Sequence, residues 1–219
     1  TAYGINGADR RYNPAGEYTT TAADGSDSTA YYPNQTDNYA QQHAQLSVLH
    51  RFTPQWSLSA TAHYTHGAGY YEQYKRKKLS YWGLPYSHKA YGMYRKQLDN
   101  HFFGGVVAAK YISELVDVQF GGAANYYMGD HFGTLHYLED SLILPINYEY
   151  YRNDAKKTDA NIYAKANWRI INRAQEQLSL YADLQYRYVR YERNGMNDED
   201  MTDLPLEVNF HFFNPKAGL

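Results

Sequence analysis

Six stretches of this chain alternate apolar and polar residues with a period of two, in pairs joined by short breaks, a pattern that strands satisfy and helices do not. Ala40, Ala44, Leu46, Val48 and Phe52 share one parity, while Tyr39, Gln41, His43, Gln45, Ser47 and Arg51 share the other. After Thr53-Pro54-Gln55, with proline as breaker, Trp56, Leu58, Ala60, Ala62 and Tyr64 alternate with Ser57, Ser59, Thr61, His63 and Thr65. The pattern returns over 101–112 with 115–127 and over 160–170 with 178–190, and a seventh, weaker strand starts near Leu206. Each hairpin therefore has one apolar face and one polar face.

Folding each hairpin about its break sets a register, because residues opposite one another must face the same way. Phe52 then meets Trp56, Lys110 meets Asp117, Val107 meets Phe120, Trp168 meets Leu180 and Lys165 meets Asp183. The two opposite-charge pairs fall on the polar face, each contributing about 0.2–1 kcal/mol.

The connections choose between architectures. A soluble sandwich buries its apolar face and varies its loops at both ends. Here short connections (53–55, 113–114, 171–177) alternate with long ones (72–100, 128–158, 192–205), the asymmetry of a membrane barrel with tight turns at one rim and loops at the other. Phe52, Trp56, Tyr111 and Trp168 lie beside the short turns with apolar parity, and Tyr64, Tyr126 and Tyr186 follow with the same parity. Eight to ten strand residues, tilted, span roughly 20–25 Å, the height of a barrel's apolar band between its aromatic girdles. The expected fold is all-β: an antiparallel up-and-down transmembrane β-barrel segment of about seven strands with long extracellular loops. The competing reading is a soluble β-rich module that binds glycans.

Composition narrows function. Tyrosine is the outlier, 26 of 219 residues, at a mean hydropathy of −0.74, so the rings sit among polar residues. A net charge of −2 lacks the basic excess that nucleic-acid binding needs. The absence of cysteine excludes a disulfide scaffold, a cysteine zinc site and a thiol nucleophile. No G-x-S-x-G, Walker or H-E-x-x-H signature is present, and the reading is of a non-enzyme without a cofactor or resident metal.

Several stretches carry a resemblance. Arg10–Tyr18, Asn34–Tyr39, His63–Lys75, Tyr127–Gly133, Lys157–Asn167 and Phe213–Leu219 resemble the barrel of TonB-dependent outer-membrane receptors, over nearly the whole chain. The resemblance implies active import across the Gram-negative outer membrane through a barrel of about 22 strands that holds an amino-terminal plug. A TonB complex would drive it, and outer-membrane lipid, lipopolysaccharide and a small-molecule substrate would be its other partners. Seven strands make roughly a third of such a barrel, so the chain reads as an internal segment without plug or TonB box. Residues 1–37 would be an extracellular loop, 38–71, 101–127 and 159–191 hairpin regions, and 206–213 the seventh strand.

Two groups of residues are candidates for ligand contact. Tyr70, Tyr71, Tyr74, Tyr81, Trp82 and Tyr86 are interleaved with Lys75, Arg76, Lys77 and Lys78. Rigid rings with polar tips bind ligands at low entropic cost, and the basic residues favour an anion; packing of these loops on one another is the equal alternative. From Tyr70 to Lys96, seven Lys and Arg face one acidic residue, Glu72, which favours an anionic metal chelate of the siderophore type over a glycan or a corrinoid. His43 and His63 share the inward parity and become diagonal neighbours, as ordinary polar lining or as a lumen site. Asp130, His131, His136, Glu139 and Asp140, and the acidic run Asn194–Asp200, offer cation donors without a fixed spacing.

Overall fold

The computed structural model describes residues 17–31, 37–140, 142–173, 175–197, 201–203 and 205–219. The Arg10–Gly16 and Asn34–Thr36 parts of the resemblance, and the acidic run from Asp198 to Asp200, lie outside these residues.

Period-two patterning becomes one long meander. A small hairpin, β1 (Glu17–Thr21) and β2 (Asp27–Tyr31), forms its own two-stranded sheet. It turns through Asp24, whose carboxylate accepts hydrogen bonds from the Ser26 amide at 2.9 Å and the Ser26 hydroxyl at 2.6 Å and is held below the usual carboxylate range by them.

The main sheet has seven strands: β3 (Asp37–Arg51), β4 (Trp56–Lys78), β5 (Lys89–Ile112), β6 (Val116–Leu138), β7 (Tyr148–Asn172), β8 (Gln177–Gly195) and β9 (Leu206–Gly218). They pair in chain order, each antiparallel to the next. Among the described residues the only other sheet is the β1–β2 hairpin, and no second large sheet covers the apolar face as a sandwich would require. Among the described residues β3 and β9 are each paired on one side only, so the sheet is open, as a barrel segment should be.

Register carries the apolar parity intact from strand to strand. Phe52 lies at the Trp56 turn, its amide bonded to the Trp56 carbonyl at 3.0 Å. Trp168 pairs with Leu180 and Lys165 with Asp183, as the folding about the turn required. Trp56 meets Tyr111 at 5.0 Å and Phe120 at 6.3 Å between ring centroids, which places one aromatic rim at the short-turn end. Leu46 and Ile162 stand 70% and 67% exposed on that face. Apolar surface of this kind is costly in water and favourable in lipid.

One hairpin differs, that of β5 and β6, where Val107 lies opposite Gly122 and not opposite Phe120. Lys110 lies opposite Gln119, and Asp117 opposite Ile112. The turn is centred one residue later than the sequence suggested: Ser113 pairs with Val116 around Glu114-Leu115, and the Ser113 hydroxyl accepts the Val116 amide at 3.1 Å in place of a backbone carbonyl. Moving the turn by one residue moves the partner by two, which keeps every side chain on its face. Asp117 pairs instead with Arg169 of β7.

The connections read as 72–100, 128–158 and 192–205 are much shorter. β4 runs on to Lys78 and β5 begins at Lys89, leaving 79–88; the others narrow to 139–147 and 196–205. Strands of 23 to 25 residues reach some 75 Å at about 3.3 Å per residue. They therefore project well past any bilayer band and form a wall at the long-connection end. The patterning there changes because both faces are polar or aromatic, and the alternation that marks a strand disappears.

Candidate functional site

At the long-connection end a 3-10 turn, Leu79–Trp82, folds over the polar face of the sheet. Trp82 is completely buried, with Leu79, Leu84, Ala90, Tyr94, Leu135, Tyr150 and Tyr151 around it. Two glycines admit the rings: a Cβ on Gly92 would stand 2.6 Å from the Trp82 indole, and one on Gly133 would stand 2.3 Å from Tyr151 and 2.4 Å from Tyr150. Tyr150 and Tyr151 are chain neighbours, yet both are buried in this cluster, with ring centroids 5.1 Å apart. A bulge makes that possible. Gly133 pairs with Tyr151 and Thr134 with Glu149, so Tyr150 is the extra residue and the alternation skips a beat.

Beside this cluster the same face carries a cleft of about 520 Å³. Tyr39, Tyr71, Tyr151 and Tyr191 line it together with Lys96, His131 and Arg193. Lys75 and Lys77 share the face, opposite Gly92 and Ala90 in register. Burial first, and then the Lys77 and Lys96 charges, hold the Lys75 pKa below the usual lysine range. Nε and Nη2 of Arg193 are buried with no hydrogen-bond partner among the described residues. Lys96 and Arg193 thus line the cleft together with one carboxylate, Asp37.

The residues expected at a ligand site divide between the two faces. Tyr71 and Lys75 lie on the cleft face. Trp82 is interior, and Tyr81 packs edge-on against it and against Tyr94, under the Lys77 ammonium at 4.8 Å. Tyr70 also borders the cleft, but its ring carries the Arg95 guanidinium at 4.2 Å. Arg95 in turn donates to Glu72 at 2.7 Å. Tyr74 stacks on Tyr91 at 5.2 Å, Arg76 is exposed on the Tyr74 side, and Tyr86 stands exposed in the 79–88 connection. Of the seven basic residues, Lys75, Lys77 and Lys96 point one way and Arg76, Lys78, Lys89 and Arg95 the other. The charge excess is two patches, because the segment is strand and alternates.

His43 and His63 lie on the polar face nearer mid-strand, each with its own partner: His43 Nδ1 with Thr65 Oγ1 at 2.7 Å, and His63 Nε2 with Asn125 Oδ1 at 2.9 Å. The donors of 128–158 are likewise dispersed. Asp130 and Glu149 bind Arg152, His88 binds Asp140, and His136 bonds Thr134. Tyr39, Tyr151, Tyr191 and Arg193 are the cleft residues that sequence reasoning did not single out, while Lys96 and His131 were singled out there without being placed together. Their shared parity, once carried past the alternating band, was the available signal.

The family model described as TonB dependent receptor-like, β-barrel, matches residues 1–219. No curated protein matches the chain.

Proposed function

The chain belongs to the TonB-dependent receptor-like β-barrel family, whose members serve TonB-coupled transport across the outer membrane, and on that premise we propose that its cargo is an anionic metal chelate bound first in the Lys96–Arg193 cleft. The long connections face the outside of the cell, the face carrying Leu46 and Ile162 meets lipid, and the cleft opens toward the barrel interior. Partners are the TonB complex, engaged through other parts of the receptor, and lipopolysaccharide, whose phosphates Arg76, Lys78 and Lys89 are placed to meet on the lipid side.

The observation that carries this reading is the basic cluster at the cleft, where Lys96 and Arg193 share the lining with a single carboxylate, Asp37. Burial and the neighbouring Lys77 and Lys96 charges disfavour the Lys75 ammonium, and among the described residues two buried nitrogens of Arg193 have no hydrogen-bond partner. An anion entering the cleft offsets that repulsion and gains in affinity and encounter rate.

Lys96→Glu and Arg193→Glu in the full receptor, set against Lys78→Glu and Lys89→Glu on the other face, test it. Uptake of an anionic ferric chelate falls at least tenfold in the first pair, most at low salt, and is little changed in the second. Equal uptake in all four sinks the chelate reading. Four tyrosines along the cleft favour a second reading, a glycan stacked on the rings; salt-independent uptake of a neutral oligosaccharide would identify it.

A further inference from the structure

On the opposite face, just beyond Tyr64 toward the long-connection end, three metal-ligating side chains converge. His66 and His101 are directly opposed across β4 and β5, and Asp99 lies two residues from His101 on the same strand and therefore on the same face. Asp99 is opposed by Ala68, too small to separate its carboxylate from His66. Asp99 Oδ1 stands 2.8 Å from His66 Nε2 and 3.8 Å from His101 Nε2, and the three donor atoms lie within 4.8 Å of one another. The two imidazoles stack, with centroids 4.7 Å apart and planes 20° from parallel.

From this geometry we propose that His66, Asp99 and His101 form a divalent transition-metal site on the outer wall of the barrel, at the level of the lipid headgroups, with Zn²⁺ as its natural ion. Bonds of about 2.0–2.1 Å place tetrahedral donors roughly 3.3–3.4 Å apart, a separation the trio brackets, so small side-chain rotations suffice. Two imidazole nitrogens and one carboxylate select zinc, copper or nickel over calcium and magnesium. Three protein ligands leave one position for water or an exogenous oxygen donor, and side-chain exposures of 32%, 51% and 39% keep it accessible.

Tyr64 supplies the supporting contact. Its hydroxyl lies 2.8 Å from His101 Nδ1. When that nitrogen donates its proton to the Tyr64 oxygen, Nε2 carries the lone pair that a metal requires. On binding, His66 gives up the hydrogen bond from Nε2 to Asp99, through a tautomer shift if the ring is neutral or release of one proton if it is charged. Without metal, Asp99 is within hydrogen-bond distance of His66 alone, with His101 Nε2 a further ångström away.

The site is independent of what the receptor imports. Its test is Zn²⁺ titration by calorimetry of the tag-free, full-length receptor in detergent micelles, with Co²⁺ as a spectroscopic probe. The expected result is one Zn²⁺ per chain lost in His66→Gln/His101→Gln, visible absorption of four-coordinate Co²⁺ lost in step, and affinity about tenfold weaker in Tyr64→Phe. Heat-modifiable migration on gels reports whether each variant has formed its barrel, and Asp99→Asn gives the same comparison should the double variant not assemble. Identical Zn²⁺ stoichiometry and affinity in wild type and variants, or no binding to wild type at 100-fold over a micromolar dissociation constant (about 100 μM), overturns the proposal and leaves a hydrogen-bonded surface pair.

Discussion

The Trp82 indole lies directly against the backbone of Gly92, so close that a Cβ there would stand 2.6 Å from two of its ring carbons and 3.1 Å from Leu135. This contact pins the 79–88 connection to the sheet. Backbone and a fully buried ring confine the space from both sides, and neither can yield without disturbing the cluster.

Gly92→Ala therefore overpacks the site, at a cost of about 1–3 kcal/mol. Limited proteolysis of the full receptor checks it: cleavage between Leu79 and His88 accelerates in the variant while the rest of the barrel stays protected.

Two buried tyrosines in the same cluster should respond oppositely. The Tyr94 hydroxyl donates to Gln73 Oε1 at 2.8 Å, whereas the Tyr150 hydroxyl is buried with no hydrogen-bond partner among the described residues, and burial pushes its ionisation far above the usual tyrosine range. Tyr94→Phe loses about 1 kcal/mol and Tyr150→Phe loses nothing or gains, read as shifts in the thermal unfolding midpoint. A comparable loss in both would mean the Tyr150 hydroxyl has found a partner.

Arg169 holds the short turn between β5 and β6. It donates to the Ser113 carbonyl at 2.9 Å and the Glu114 carbonyl at 3.2 Å, and it pairs with Asp117. Arg169→Ala removes all three contacts and costs about 1.5–3 kcal/mol, whereas Lys110→Ala, across from Gln119, is near neutral. Chemical unfolding of the refolded barrel separates them, and equal effects would return Lys110 to the role of Asp117 partner.

His136, next in the chain to the cluster residue Leu135, makes this end of the sheet sensitive to acid. Burial, and then the Arg95 charge, lower its pKa below 6.5, against an opposing pull from Glu72. Between the depressed folded value and 6.5 the unfolded chain binds the extra proton, so stability rises with pH through that window. It is fully present above 6.5, falls as the pH drops below it, and has lost its whole contribution once the folded value is passed. His136→Gln flattens this slope, as unfolding midpoints between pH 4 and 7 measured on a common buffer scale (about one decade either side of the transition) would show; an unchanged slope would assign it to another group.

Patterning alone carries the hairpins, the faces and the membrane-like asymmetry of this chain. Alternation over Ala40–Tyr64 and Ile162–Tyr186 reflects a single demand, one side in lipid and the other in a polar interior, and a one-residue slip would invert it. Lys165 opposite Asp183 follows from that demand, because the turn beyond Trp168 absorbs its own irregularity.

Tertiary structure decided what local rules do not encode. The Ser113 hydroxyl moved a turn by one residue, strands ran on through 72–78 and 89–100 without an apolar face to betray them, and a bulge at Tyr150 put two neighbouring rings on one side. Lys96, Arg193, His131 and Tyr191 come from β5, β8 and β6, and only the sheet brings them to one cleft. His66 and Asp99 likewise become neighbours solely through the pairing of β4 with β5. Sequence period reports which side of a sheet a residue faces; which residues share a neighbourhood depends on register and strand length, set by pairings across the whole sheet.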